Sequence, residues 1–261
     1  MRTGIFYLDG KNSMDYNLYS VELGDSVNTV ASGVNLIEKE TAFSYNPLFQ
    51  QIKREPYDIP LKLALVNEYL QPLDWTPLMQ ERALSFLLHK EYKEIVFERD
   101  LDRVQYVIPN SEVTLYSFLN KGYIELTYRT NSPYSYRPKK EITINAENAD
   151  TTIFLITDEI MPEEIYPTIE LERVGQTNSE LKIYKDDNPS DYISFSSLGS
   201  IENIKILCGQ QIIKDVDSGN FIYNYKTPNV GDKWLSLKAG QNKITLSQGW
   251  KAKIKYQEVL L

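Results

Sequence analysis

Apolar and polar residues exchange places at every second position between Tyr123 and Thr130. Tyr123, Glu125, Thr127 and Arg129 alternate with Ile124, Leu126, Tyr128 and Thr130, which is the period of a β-strand. Val113, Leu115, Tyr116, Phe118 and Leu119 precede this run, and Asn120-Lys121-Gly122 supplies turn chemistry between them. The stretch from Val113 to Pro138 therefore predicts a hairpin with an aromatic exit. The strand stops at Asn131-Ser132-Pro133, followed by Tyr134, Ser135, Tyr136 and Pro138. Each proline removes a backbone donor and biases its predecessor toward extended geometry. A domain boundary is expected here, giving domains 1–138 and 139–261.

The first part mixes strands with one helix. Gly4–Leu8 and Leu18–Leu23 are short strand candidates, closed by Asp9-Gly10 and Gly24-Asp25. Ile59–Val66 is nearly continuously apolar and predicts a buried strand. Thr76–Lys90 predicts a helix: Thr76 suits the N-cap, Pro77 the first helical position, and Gln80 approximates a capping box. Leu78, Met79, Ala83, Phe86 and Leu87 make its core stripe. Glu94–Arg99 and Tyr106–Ile108 return to strand. Val27, Val30 and Val34 suggest an extended segment, and Thr41–Ile52 carries Phe43, Tyr45, Leu48, Phe49 and Ile52 around Pro47. Proline there points to an edge strand or long excursion. These aromatics either fill the domain's own core or dock onto another copy of the protein, because exposed apolar patches mark association sites.

Beyond Pro138 the pattern is wholly β. Glu141–Asn145, Thr151–Thr157, Thr168–Val174, Leu181–Tyr184, Tyr192–Phe195, Ile201–Leu207, Gln211–Ile213, Phe221–Tyr225, Lys233–Leu237, Lys243–Leu246 and Lys251–Gln257 alternate or run apolar. Thr151–Thr157, TTIFLIT, reads as a buried strand. Turn residues, among them Gly175, Asp186–Pro189 and Gly231-Asp232, separate the strands at about 8–12 residues, the signature of a β-sandwich or jelly roll. The fold class is thus mainly β with a minor α+β part: an N-terminal antiparallel sheet with one helix, and a C-terminal sandwich.

Composition narrows the chemistry. The 261 residues include 19 Tyr, one His and one Cys, and the formal net charge is −8. Residues 1–138 hold 14 basic and 18 acidic side chains, and 139–261 hold the same numbers. An acidic balance spread this evenly disfavours general nucleic-acid binding. A single cysteine, Cys208, excludes an internal disulfide. No apolar run reaches the ~18 residues of a membrane helix, and the N-terminus lacks a signal-peptide core, so no membrane anchor is expected. His89, placed in the last turn of the predicted helix, is the only imidazole, which leaves no ordinary zinc site or Ser-His-Asp triad. No phosphate loop or dinucleotide fingerprint is present. Glu163-Glu164, Asp186-Asp187 and Asp100 with Asp102 are the carboxylates a glycosidase would need; solvated loop charges account for them better. Asp186-Asp187-Asn188 lacks the spacing of a calcium loop. Tyr192, Tyr223, Tyr225, Trp234 and Trp250 are aromatic enough to stack on sugars, with Trp234 and Trp250 better placed as core.

Four stretches together carry a resemblance: FYLDGKNSMDYNLYSVE at the start, GYIELTYRTNSPYSYRP in the middle, YPTIELERVG with SLGSIENIKILCGQQIIKD and SGNFIYN in the second half, and KWLSLKAGQNKITLSQGWKAKIKYQE at the end. In the last, Trp234, Leu235, Leu237, Gly240 and Asn242 form an aromatic-Leu then Gly-x-Asn pattern. In order and spacing they resemble the distal tail protein (Dit) family of long-tailed bacteriophages, over nearly the whole chain. The resemblance implies a ring-forming N-terminal domain that closes a homohexamer, and a galectin-like β-sandwich projecting outward. It further implies a hub in the virion's tail tip, folded in the bacterial host cytoplasm. Its partners would be the major tail tube protein, the tail-tip or tail-associated lysin protein, and receptor-binding or other baseplate proteins, with DNA only passing through the lumen. It implies no cofactor and no catalysis.

On that reading Phe43, Tyr45, Phe49 and Ile52 are the expected anchors between copies, and Pro133, Tyr134, Tyr136 and Pro138 fix the domain junction. Two alternatives stand beside the structural adaptor: a carbohydrate-binding module for host cell-wall polysaccharide, and a glycan hydrolase.

Overall fold

The structure is a computed structural model, and it describes residues 4–22, 33–41, 44–159, 161, 164–174, 180–185, 192–196, 198–226 and 234–260. The chain divides into two compact units, residues 1–136 and residues 137–260.

The strands of the first unit are β1 (Phe6–Leu8), β2 (Lys11–Asn12), β3 (Leu18–Ser20), β4 (Val34–Thr41), β5 (Ser44–Arg54), β6 (Asp58–Leu65), β7 (Lys93–Phe97), β8 (Asp100–Pro109), β9 (Thr114–Phe118), β10 (Lys121–Thr130) and β11 (Ser135–Tyr136); the helix α1 is Pro77–Leu87. One antiparallel sheet runs β2-β1-β7-β8-β10-β6-β3, with β9 added to β10 and β11 to β8. On β6 the residues Ile59, Leu61, Leu63 and Leu65 are buried, while Asp58 and Pro60 are exposed. The strand is thus buried on one face, not two. The apolar composition misled because Ala64 and Pro60 sit on the outer face. β10 pairs β6 from Tyr123↔Ala64 to Arg129↔Asp58, so Ile124, Leu126 and Tyr128 share the buried face.

Helix α1 closes that face with Ala83, Phe86 and Leu87. Burial of Phe86 and Leu87 stabilises by roughly 1.5–3 kcal/mol each. Thr76 Oγ1 accepts the Met79 amide at 3.3 Å and Pro77 opens the helix, as the sequence predicts. Gln80 donates to the Trp75 carbonyl instead of completing a capping box. Two expectations fail. The helix ends at Leu87 rather than Lys90, because Leu88 is already extended (φ −90°, ψ 122°). Leu78 lies off the core stripe and is exposed.

The hairpin turn also differs. It consists of Leu119-Asn120, both in the left-handed region (φ 48° and 61°), with Lys121 already in β10. This two-residue geometry matches the twist of the flanking strands.

The second unit contains β12 (Lys140–Ala146), β13 (Thr151–Ile156), β14 (Thr168–Arg173), β15 (Glu180–Lys185), β16 (Tyr192–Ser196), β17 (Asn203–Leu207), β18 (Ile212–Asp215), β19 (Tyr225–Lys226), β20 (Gln241–Leu246) and β21 (Trp250–Tyr256). They form a β-sandwich of two antiparallel sheets, β12-β21-β14-β17-β18 and β13-β20-β15-β16-β19. β21 alternates strictly: Trp250, Ala252, Ile254 and Tyr256 face inward. Outward, Lys255 reaches Glu170 at 2.6 Å and Lys253 reaches Glu141 at 3.3 Å. The Lys255 and Lys205 ammonium groups hold the Glu170 carboxyl below the usual range. Cys208 is buried, which pushes its thiol up to about 12.

The Gly-x-Asn pattern has a local cause. Asn242 is fully buried, its Oδ1 accepts the Lys238 amide at 2.8 Å, and its Nδ2 donates to the carbonyls of Lys238 at 2.8 Å and Gly240 at 3.1 Å. A buried amide satisfied on both ends fixes the turn into β20. Three strand expectations are corrected. β13 is an edge strand whose Phe154 and Ile156 face solvent, since only Leu155 of its centre turns inward. Residues 234–237 form no strand: Trp234, Leu235, Ser236 and Leu237 are all buried, so no face alternates, and Leu237 makes a lone bridge to Ile165. Phe221 bridges only Lys214, and the strand there is reduced to β19. The expected turns at Gly24-Asp25, Gly175, Asp186–Pro189 and Gly231-Asp232 lie outside the described residues, as do Val27 and Val30.

Candidate functional site

β4 and β5 form a separate two-stranded ribbon, and among the described residues neither pairs with any other strand. Pro47 fits such a ribbon because each strand has one unpaired side and Pro47 falls in the irregular register between Lys39↔Leu48 and Thr41↔Ser44. Phe49 and Ile52 are three residues apart, a spacing that in regular alternation puts them on opposite faces. The register removes that conflict. Leu36 pairs with Ile52 and Ile37 with Gln51, but Glu38 pairs with Phe49. Gln50 is therefore the extra residue of a β-bulge, which resets the alternation. Leu36 and Glu38 share a face along β4, so their partners Ile52 and Phe49 do too. The result is an apolar strip of Leu36, Ile52 and Phe49 on one side of the ribbon. Phe49 and Leu36 each keep 60% of their surface exposed and Ile52 keeps 54%. Three large apolar side chains thus lie exposed on one face of the ribbon instead of filling the core of the first unit.

Of the expected anchors, the ribbon brings Phe49 and Ile52 together. Phe43 lies outside the described residues, and Tyr45 is placed only by its backbone in β5. The sequence reading omitted Leu36. Its position two residues after Val34 was the available signal, but nothing in the sequence pairs it with Ile52.

The expected junction residues fall as follows. Tyr136 pairs with Val104, and its ring meets Tyr106 edge-on at 5.4 Å. The Tyr134 amide donates to Ser132 Oγ at 3.2 Å, and Pro133 is half-buried. Pro138 is exposed in the second unit. Next to it lies a group that sequence reasoning missed. Glu258 is buried, and its carboxylate accepts from Lys140 at 2.7 Å and faces Arg137 Nε at 3.4 Å. Arg137 also reaches Asp158 at 2.8 Å. A single charge inside the apolar C-terminal run was the only trace of this in the sequence.

Two of the carboxylates considered for glycoside hydrolysis are engaged by neighbouring side chains. Asp100 is held by Arg103 at 3.2 Å, and Glu164 accepts from Ser236 at 2.7 Å. Glu163, Asp186 and Asp187 lie outside the described residues. Among the described residues no three His, Cys, Asp or Glu cluster to hold a metal, and no helix is long and apolar enough to cross a membrane. Of the sugar-stacking candidates, Trp250 and Trp234 are buried, Tyr225 packs on Trp234 at 5.5 Å, and Lys182 covers Tyr192 at 4.8 Å. Tyr223 alone remains largely exposed.

His89 lies beyond the helix end, not in its last turn. Its ring stacks on Tyr128 at 5.7 Å, and Nδ1–H donates to the Glu91 carbonyl at 2.6 Å. Nε2 is buried without a partner. Desolvation lowers the imidazole pKa below 6.5, overriding the Glu91 carbonyl that raises it. The neutral ring thus contributes stability above pH 6.5, which declines as pH falls through the folded-state pKa. Because His89 is the only histidine, a single imidazole resonance in an NMR titration is expected to have its midpoint below 6.5; a midpoint above it would contradict the burial.

Comparison with known proteins bears on both units. The family model described as the phage tail protein N-terminal domain matches residues 1–132. The SPbeta prophage-derived protein YomH of Bacillus subtilis strain 168 is 24% identical, over 92% of this chain and 94% of its own length. Among solved structures, the SPP1 Dit (gp 19.1) protein, described as a paradigm of the hub adsorption apparatus in phages infecting Gram-positive bacteria, superposes with a TM-score of 0.66 at 13% identity, covering 98% of this chain and 99% of that one. A chain of the phage P2 baseplate in its calcium-activated conformation gives a TM-score of 0.50 at 12% identity, covering 96% and 97%.

Proposed function

This chain belongs to the family of phage tail proteins defined by that N-terminal domain, and from that premise we propose that it is the structural hub of a tail tip. Residues 1–138 close a hexameric ring, and residues 139–261 form the outward β-sandwich. The ring joins the tail tube protein to the tail-tip or tail-associated lysin protein, and the sandwich carries receptor-binding or other baseplate components. DNA passes through the lumen without sequence-specific contact. The protein works in the virion by repeated protein contacts and performs no catalysis.

The observation that carries this reading is the one-sided apolar strip of Leu36, Phe49 and Ile52 on a ribbon that pairs with no other strand among the described residues. A ring needs a specific contact, and such contacts bury ~1,200–2,000 Å² in total. The long fold match to a phage hub protein supports the same architecture. A carbohydrate-binding role finds less support, since four of its five candidate aromatics are engaged in packing or covered by a cation.

The purified chain is expected to have a native mass six times its 30.2 kDa and to appear as a ring with a central hole in negative stain. Phe49→Asp should return it to the monomer mass while its circular dichroism spectrum stays that of the folded chain, because the side chain is exposed. An unchanged oligomer mass in that variant would remove the ribbon from the interface.

A further inference from the structure

The first unit exposes a second set of apolar side chains, at one end of its sheet. β6 leaves the sheet after Leu65 and β10 enters it at Lys121, and the pairing Ala64↔Tyr123 puts these ends side by side. After β6 the chain makes a tight turn. Asn67 Oδ1 accepts the amides of Tyr69 at 3.0 Å and Gln71 at 2.9 Å, and Leu70 is held at φ 59°. Tyr69 is 82% exposed. At the same end of the sheet the β9–β10 hairpin turns at Phe118 and Leu119, 80% and 79% exposed. Trp75 ties the hairpin start in place: its amide donates to the Asn120 carbonyl at 2.7 Å and its indole to the Gly122 carbonyl at 3.1 Å.

Leu70 and Leu119 both occupy left-handed backbone, which costs roughly 1–2 kcal/mol each where Gly or Asn would be accommodated. Both side chains are exposed, so packing within the chain does not offset that cost. Strain of this kind gathers at functional positions.

We propose that this rim receives the Leu36–Phe49–Ile52 strip of a second copy of the chain. The inference rests on the ring reading above and names the surface that the ribbon meets. One unit bearing two unlike apolar surfaces makes a head-to-tail contact, which repeats around a closed ring; two like surfaces would stop at a dimer. The flanking charges match. On the strip's face Glu38 stands opposite Phe49, and Arg54, paired with Val34, lies beyond Ile52. At the rim, exposed Lys121 lies on the hairpin and exposed Glu68 on the turn. One docking direction sets Glu38 against Lys121 and Arg54 against Glu68. Peripheral charges of this sort select register more than they add affinity.

The test uses two full-length variants, Phe49→Asp on the strip and Leu119→Asp on the rim. Aspartate tolerates left-handed backbone, so Leu119→Asp should keep the circular dichroism spectrum of the folded parent. Each variant alone is expected to be monomeric. Mixed in equal amounts they should form a one-to-one dimer and grow no further, because one intact strip meets one intact rim and the remaining surfaces are both spoiled. A mixture that stays monomeric overturns the pairing. So does a Leu119→Asp protein that still forms the parent ring, an outcome that would assign the rim to a different tail protein and leave the ring reading standing. A parent chain that stays monomeric at every soluble concentration overturns both.

Discussion

Gly122→Ala is expected to destabilise the first unit by about 3 kcal/mol or more, the upper end of what overpacking produces. A β-carbon at this position would lie 1.9 Å from the Tyr116 carbonyl oxygen and 2.8 Å from the Ser117 Cα. Both are backbone atoms of the facing strand β9, so no side-chain rotation relieves the clash. The hairpin must open. Opening it separates the stacked rings of Tyr116 and Tyr123, now 5.0 Å apart, and pulls the Gly122 carbonyl from the Trp75 indole. That indole helps hold the turn before α1 against the sheet, so the loss spreads toward the core. Gly10→Ala is the control: Gly10 sits at φ 74° with nothing within 4 Å of an added β-carbon, and strain alone costs roughly 1–2 kcal/mol. Thermal melting of the full chain should separate the two variants clearly. Hydrogen exchange should quicken at Ile124 and Leu126 in the first variant only. Equal melting temperatures would contradict the close approach.

These two glycines show what the sequence can and cannot convey. The turn at Asp9-Gly10 is legible because its chemistry is local. The sequence puts the hairpin turn one residue too far along, because Leu119 is not a turn former and Gly122 is. Gly122 is needed for close approach of β9, a fact of pairing and not of turn geometry. The same limit governs the ribbon. Its aromatic content marks it as unusual, but Phe49 and Ile52 share a face only because Gln50 is an extra residue against β4, and bulges leave no period in a sequence. Thr76-Pro77 announced the helix because capping is local as well. Its end was missed because Leu88 and His89 continue a helical-looking composition while the backbone has turned extended. In the sandwich, Trp250 and the alternation of β21 were readable, whereas β13 was not. TTIFLIT is equally apolar whether buried on two faces or on one, and Phe154 and Ile156 stay outside because β13 is the edge of its sheet.

Glu258→Lys is the substitution expected to cost the second unit most, about 3–5 kcal/mol, the range for breaking a buried ion pair. The native carboxylate is 2% exposed and receives Lys140 at 2.7 Å. Its backbone carbonyl accepts the Arg137 amide at 2.9 Å, and Arg137 Nε lies 3.4 Å from the carboxylate. A lysine there confines a third cation beside two others, while Asp158 stays on Arg137. Lys140 is 45% exposed and can swing into water, which moderates the repulsion but not the desolvation of the new ammonium. Arg137 and Lys140 open the second unit and Glu258 lies near its end, so this cluster closes the sandwich chain on itself. The comparison is Glu172→Lys, an exposed position 3.8 Å from Lys251, where an ion pair on a wet sheet face contributes about 0–1 kcal/mol. Glu258→Lys should therefore melt several degrees lower than Glu172→Lys, a 1 kcal/mol change shifting a unit of this size by roughly 4 °C. Raising the salt concentration should narrow the gap only slightly, since buried charges are screened little. Coincident melting of the two variants would mean that the Glu258 carboxylate reaches water.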